Sequence, residues 1–232
     1  MTPLDAHFAV QVPADDPDAL YKDRENLASA QAAANLWAAR LTADPMDFTS
    51  AYRLAKVRYW LGTHGMPAPQ RRAALEAGIG AARAAMAIDA KRPEGHFWMA
   101  ANMGALAESF GLRQGMKYRG AIREALETTL KLDPGYLQGS ADRALGRWYF
   151  KVPRVFGGSN KRSEAHLRRS LAYNPSGVMS LLFLADTLAD MGRKDEARKR
   201  YQAVIDAPLD PDWTPEDRRF KEQAKQLLQR LR

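Results

Sequence analysis

The sequence contains no cysteine, which excludes disulfides, thiolate metal sites and a cysteine nucleophile outright. Histidine is almost as scarce. His7, His64, His96 and His166 stand far apart, and none forms the i, i+4 pair of a zinc-binding helix. No window approaches the roughly 18 uninterrupted apolar residues that a membrane-spanning helix requires, so no span is expected. The opening stretch MTPLDAHFAVQVPADD has neither a basic n-region nor an apolar segment, so no signal peptide is expected, and a processed chain would read the same way. No serine sits in a nucleophile-elbow pattern, and the acidic pair Asp15-Asp16 lies in a polar stretch without a shaped site. The chain is therefore read as non-enzymatic, with no catalytic residue, metal or cofactor.

Hydrophobic residues make up 46% and charged residues 27%, the proportions of an ordinary folded domain. The net charge of +8 is unevenly spread: residues 1 to 50 hold three basic and eight acidic residues, leaving the remainder strongly positive. That excess admits an acidic partner. It also admits a solvated basic surface, because Lys and Arg alternate with Glu and Asp at helical spacing. Nucleic acid is not expected, since base stacking needs aromatics interleaved with exposed cations, and the five tryptophans fall mostly at packing positions.

Punctuation recurs along the chain: TADP ends at Pro45, AIDAKRP at Pro93, KLDP at Pro134, AYNP at Pro175 and IDAP at Pro208. Units of about 33 to 48 residues, each with two helix-like segments and no strand alternation, predict an all-α solenoid. In the last unit Leu181, Leu184, Ala185, Leu188, Gly192, Ala197 and Tyr201 follow the large-and-small order of a tetratricopeptide repeat. A small residue on the second helix lets the first approach, and large neighbours fill the groove beside it. Helices are expected at about 18–42, 47–63, 70–89, 94–110, 117–132, 137–151, 161–173, 177–191, 194–206 and 215–231. One tetratricopeptide-like domain over 1–232 follows, with 1–17 as an irregular arm. Residues 215–231 should form a solvent-facing capping helix, with Thr214 as N-cap.

The stretch RVFGGSNKRSEAHLRRS raises a separate question. A phosphate-binding loop needs a preceding strand and a Lys-Ser or Lys-Thr pair, whereas here the preceding segment is helical and Lys161 is followed by Arg162. The simpler reading is a turn: Pro153 ends a helix, Gly157 and Gly158 supply positive φ, and Ser159 or Asn160 caps the next helix. Val155 and Phe156 then form an apolar pair on an overlong loop, expected to pack back onto the solenoid. A second extra segment, Ser109 to Tyr118, sits one repeat earlier and is expected on the same side of the stack.

The segments DRALGRWYFKVPRVFGGSNKRSEAHLRRSL, FLADTLADMGRKDEARKRYQAVIDAPLDP and WTPEDRRFKEQAKQLL together resemble the tetratricopeptide-like T component of tripartite ATP-independent periplasmic (TRAP) transporters. The resemblance implies a periplasmic, non-enzymatic helical protein with a ligand cavity, associated with the transporter's solute-binding subunit. A cytoplasmic location and a homo-oligomer are the other possibilities carried forward.

In such a solenoid the first helix of each pair lines the concave face. Counting along the repeat places Arg53, Trp60, His96, Met99, Met103, Arg143, Arg147, Phe150, Lys151, Met179 and Asp186 there. Arg143, Arg147 and Lys151 recur every fourth residue, so three cations project from one helix face. Unless Asp142, Asp186 or Asp190 neutralises them, they suit a carboxylate, borne by a small organic acid or by a partner's acidic peptide. Trp60, Met99, Met103 and Phe150 would hold the apolar part of that ligand, or else are core. His96 is either a ligand contact or a hydrogen-bonded structural histidine.

Overall fold

A computed structural model describes residues 15–231. Its described residues are helical throughout, without strands: α1 (Pro17–Lys22), α2 (Leu27–Ala43), α3 (Phe48–Thr63), α4 (Ala68–Ile88), α5 (Pro93–Ser109), α6 (Leu112–Leu132), α7 (Tyr136–Lys151), α8 (Asn160–Tyr173), α9 (Val178–Asp190), α10 (Lys194–Asp206) and α11 (Thr214–Arg230), with a 3-10 turn at Arg154–Phe156. Each helix packs on the next in chain order. The odd helices α3, α5, α7 and α9 also touch one another as an inner row, while α4, α6, α8 and α10 form the outer row.

Small residues bring the layers together as the pattern predicts. A Cβ on Gly146 of α7 would lie 2.5 Å from Leu167 Cγ of α8, and Leu167 is fully buried. The last repeat is equally dry: Leu184, Ala185, Leu188 and Ala197 have no exposure. Each such leucine contributes about 1.5–3 kcal/mol of transfer free energy. Buried polar groups stitch neighbouring helices. Ser163 pairs with Thr187 (2.9 Å) and Ser170 with Ser180 (2.8 Å), and Asn102 Nδ2 donates to the carbonyls of Ala55 and Trp98 (3.1 and 2.8 Å). Such bonds offset the cost of burying those groups.

Four expectations need correction. The helix expected at 18–42 is two, because Asp23 and Asn26 turn the chain: Asp23 accepts from Ser29 Oγ (2.6 Å) and Asn26 caps the Ala28 N–H (3.1 Å). The segment 109–118 is not a long loop; after Gly111, at φ 87°, it continues as the start of α6. The first turn of α7 is left-handed at Leu137, Gln138 and Gly139, so the regular helix begins one turn later. Thr214 does not cap α11, since its hydroxyl donates back to the Asp210 carbonyl (2.9 Å).

The C-terminal helix departs furthest from the solvated end cap expected. Its apolar face, with Phe220 and Ala224 buried, packs on the last repeat, but its N-terminal turn reaches the opposite end of the stack. Arg24 donates to the Glu216 carboxylate (2.8 Å) and to the Asp212 carbonyl (2.7 Å), and it lies over the rings of Tyr21 and Trp60. Trp213 packs against the N-terminal core, and Arg218 pairs with Glu25 at 3.4 Å. The solenoid is clasped end to end. The expected arm, residues 1–17, lies almost wholly outside the described residues.

Candidate functional site

Closure by α11 turns the concave face into a cavity of about 690 Å³. The inner row supplies its walls and α11 its lid, through Trp213, Glu216, Arg219 and Phe220. Six cations line it, Arg71, Arg119, Arg143, Arg147, Lys151 and Arg219, against the carboxylates of Glu108 and Glu216. Glu216 is taken by Arg24, and Glu108 by Arg147. The wall is therefore positive, and its apolar part includes the rings of Trp98, Trp148, Phe183, Trp213 and Phe220.

The three cations expected on α7 all reach this wall, but they differ in what they meet. Arg147 is neutralised: Nε and Nη2 hold Glu108 (3.1 and 3.3 Å), and Nη1 holds Asp186 (3.3 Å). Asp186 also accepts from the Tyr201 hydroxyl (2.7 Å), while burial pushes its carboxyl above the usual range. Lys151 is exposed at the cavity mouth. Arg143 stands alone. Among the described residues it has no hydrogen bond or ion pair, and desolvation pushes its guanidinium below the ordinary value without discharging it. Asp217 and Tyr59 reach it only at longer range. Internal neutralisation thus accounts for one arginine of the row; Asp142 instead serves His166 and Arg169, and Asp190 serves Asn160.

The other expected residues are dispersed. Trp60 is core: its indole N–H donates to the Arg24 carbonyl (2.9 Å), and its ring stacks on His64. His96 is the structural histidine, with Nε2 bonded to the Ala90 carbonyl (2.9 Å). Met103 is core at 3% exposure, and Met99 packs partly buried against the same cluster. Arg53 pairs with Asp18 on α1, away from the cavity lining. Phe150 lies beneath Arg147 and Lys151 as a cation–π partner. Met179 does line the cavity.

The sequence reading missed His64, Arg71, Arg119, Trp213 and Arg219. Arg119 falls on a second helix of a pair, and Arg219 on a helix taken for an end cap, so counting concave positions passes over both. His64 follows α3 and is held neutral: burial, with Arg219, Arg24 and Arg71 around it, lowers its pKa to about 4.

The glycine turn is ordered by hydrogen bonds. Phe156, Gly157 and Gly158 N–H groups donate to Pro153, Arg154 and Pro153 carbonyls, Ser159 N–H to the Tyr149 carbonyl, and Ser159 Oγ caps the Arg162 N–H at 3.3 Å. Only Gly157 has positive φ, at 103°. Gly158 is needed for another reason: a Cβ there would lie 1.7 Å from the Val152 carbonyl oxygen. The apolar pair does not fold over the groove, since Phe156 touches Arg119 (5.2 Å) and Val155 is 85% exposed. Segments 109–119 and 152–153 do share one rim of the cavity. Among the described residues no group of three or more His, Asp or Glu is placed to hold a metal, and no helix is long and apolar enough to cross a membrane.

Paired helices stacked around a lined inner channel define a tetratricopeptide-like solenoid, a class of scaffold that presents a concave surface. Within that class, the model of the family described as regulator of microtubule dynamics protein 1-3 matches residues 15–155, more than half of the chain, and the chain belongs to that family. No curated protein matches. Solved structures of the same fold include a thermophilic TPR protein of Thermus thermophilus, with 20% identity over 93% of this chain and 99% of that one and a TM-score of 0.68. MamA is 15% identical over 87% and 95%, with a TM-score of 0.54. YrrB, a TPR protein with an unusual peptide-binding site, is 16% identical over 85% and 91%, with a TM-score of 0.51. At these identities the likeness concerns the fold. Nothing in these comparisons supports the TRAP T component specifically.

Proposed function

We propose that the protein is a non-enzymatic scaffold whose cationic channel grips an extended acidic segment of a partner protein. The observation that carries this is Arg143, a half-buried arginine that faces the cavity and is given no carboxylate by the fold. A half-buried guanidinium without a protein partner keeps all its N–H donors free for a ligand, and an incoming carboxylate would engage them by bidentate hydrogen bonding. The aromatic walls accept the bulky side chains of the same segment. The solved relative YrrB, with its peptide-binding site, supports this use of the fold. Titration of acidic peptides in a calorimeter tests it: Arg143→Ala should weaken binding by roughly 30-fold or more, the scale of a truncated arginine anchor. Equal affinity in the variant would reject Arg143 as the anchor.

A second reading keeps the same site but replaces the peptide by a small amphipathic anion, the role of a T component beside a solute-binding subunit. It is favoured by α11, which covers part of the channel with Trp213, Glu216, Arg219 and Phe220. Native mass spectrometry separates the two, because a co-purifying small molecule lost in Arg143→Ala belongs to the second reading alone.

A further inference from the structure

The net charge of the protein is concentrated on one rim. Residues 110–123 and 150–163 together hold eight of the 35 Lys and Arg residues and none of the 27 Asp and Glu, so the remaining 27 cations balance the 27 carboxylates. Fold brings the two segments together: Arg119 lies over the Phe156 ring, and the Trp148 indole donates to the Arg119 carbonyl at 3.0 Å. Arg113, Lys117, Arg123, Lys151, Arg154, Lys161 and Arg162 are all exposed. Of these, only Arg123 has an ion-pair partner among the described residues, Glu127 at 3.5 Å.

Between Lys151 and Lys161 in sequence stands the 3-10 turn, with Val155 85% and Phe156 44% exposed. This exposure is built in. The hydrogen bonds from residues 156–159, the positive φ of Gly157 and the close approach of Gly158 to Val152 fix the turn as a projecting tip. Folding normally spends such apolar side chains on a core, and an apolar tip that includes Arg154 and carries Arg119 against its Phe156 ring has the composition of an interfacial anchor.

We infer that this rim docks on an anionic lipid bilayer, with Val155 and Phe156 entering the headgroup boundary and the surrounding Lys and Arg residues held against the lipid phosphates. Charge complementarity sets the choice of occupant: six exposed cations without an ion-pair partner among the described residues suit a dense anionic surface. A convex tip also has no walls with which to grip a protein side chain, whereas a fluid interface admits it without a pocket. The inference is independent of what the channel binds.

Sedimentation of the full chain with vesicles tests it. The chain should pellet with phosphatidylcholine vesicles containing phosphatidylglycerol and stay in the supernatant with phosphatidylcholine alone. Lys161→Gln with Arg162→Gln should lower partitioning roughly 25-fold, at about fivefold per cation near the surface. Val155→Ser with Phe156→Ser should lower it about tenfold or more while leaving thermal melting unchanged. Failure to pellet overturns the inference. So does unchanged pelleting of the Val155→Ser, Phe156→Ser variant, which would make the rim a purely ionic surface for an acidic protein or nucleic acid. Self-association abolished by that variant, in place of vesicle binding, would assign the tip to a second copy of the chain.

Discussion

Removing the carboxylate of Glu216 should be among the most damaging single changes in the protein. The Arg24–Glu216 pair joins residues 192 apart in sequence, and its side chains are only 5% and 7% exposed. In Glu216→Ala the guanidinium keeps the Asp212 carbonyl and two aromatic faces but stays buried without a counter-charge. Breaking a buried pair from one side costs about 3–5 kcal/mol, which for a chain of this size lowers Tm by roughly 6–20 °C. The pair itself contributes far less, because desolvating both ions nearly cancels their attraction. The double variant Arg24→Met, Glu216→Met should accordingly recover most of the loss. Urea unfolding of the two single variants and the double variant, followed by circular dichroism, measures this cycle. A loss below about 1 kcal/mol in Glu216→Ala, the level of an exposed pair, would show that α11 is not clasped to the N-terminal end.

Arg143→Met should hold or slightly raise stability in chemical denaturation, by up to about 1 kcal/mol, since it removes a half-buried cation that has no protein partner; a loss of stability would mean that the fold itself uses the charge. Gly158→Val should destabilise by about 1–3 kcal/mol through contact with the Val152 carbonyl, and Gly158→Ala should share that loss because the clash begins at Cβ. Leu167→Ala should cost about 2–5 kcal/mol by opening a cavity against Gly146, read as a lower urea midpoint. His64 gives a pH signature. Its folded pKa of about 4 lies below the ordinary 6.5, so the unfolded chain takes up its proton first. Its contribution is present above about pH 6.5 and is lost as pH falls toward 4. Stability measured across that window should fall less steeply in His64→Asn, and parallel curves would refute the assignment.

The helices were legible because their signals are local. The Asp44-Pro45, Asp133-Pro134 and Asn174-Pro175 steps close α2, α6 and α8, and small residues such as Gly146 and Ala185 mark close approaches. The break at residues 23–26 carried its own signal in Asp23 and Asn26, which favour caps, but without proline or glycine it reads as continuous helix. What a single repeat cannot encode is the fate of α11. Its polar face suits an end cap, and only the distant Arg24 reveals that Glu216 is buried. That long-range contact also decides the site. Helical spacing puts Arg143, Arg147 and Lys151 on one face, but which of them lacks a counter-ion depends on Glu108 and Asp186. Trp60, His96 and Met103 share the periodicity of wall residues yet belong to the core, because periodicity identifies a face and not its depth.

Selection of random displayed peptides on the immobilised full chain tests the channel most directly. The expected outcome is recovery of sequences rich in Asp and Glu with interspersed bulky apolar residues, a preference lost in Arg143→Ala with Arg219→Ala. Recovery of the same sequences by the variant, or no acidic preference at all, would contradict it.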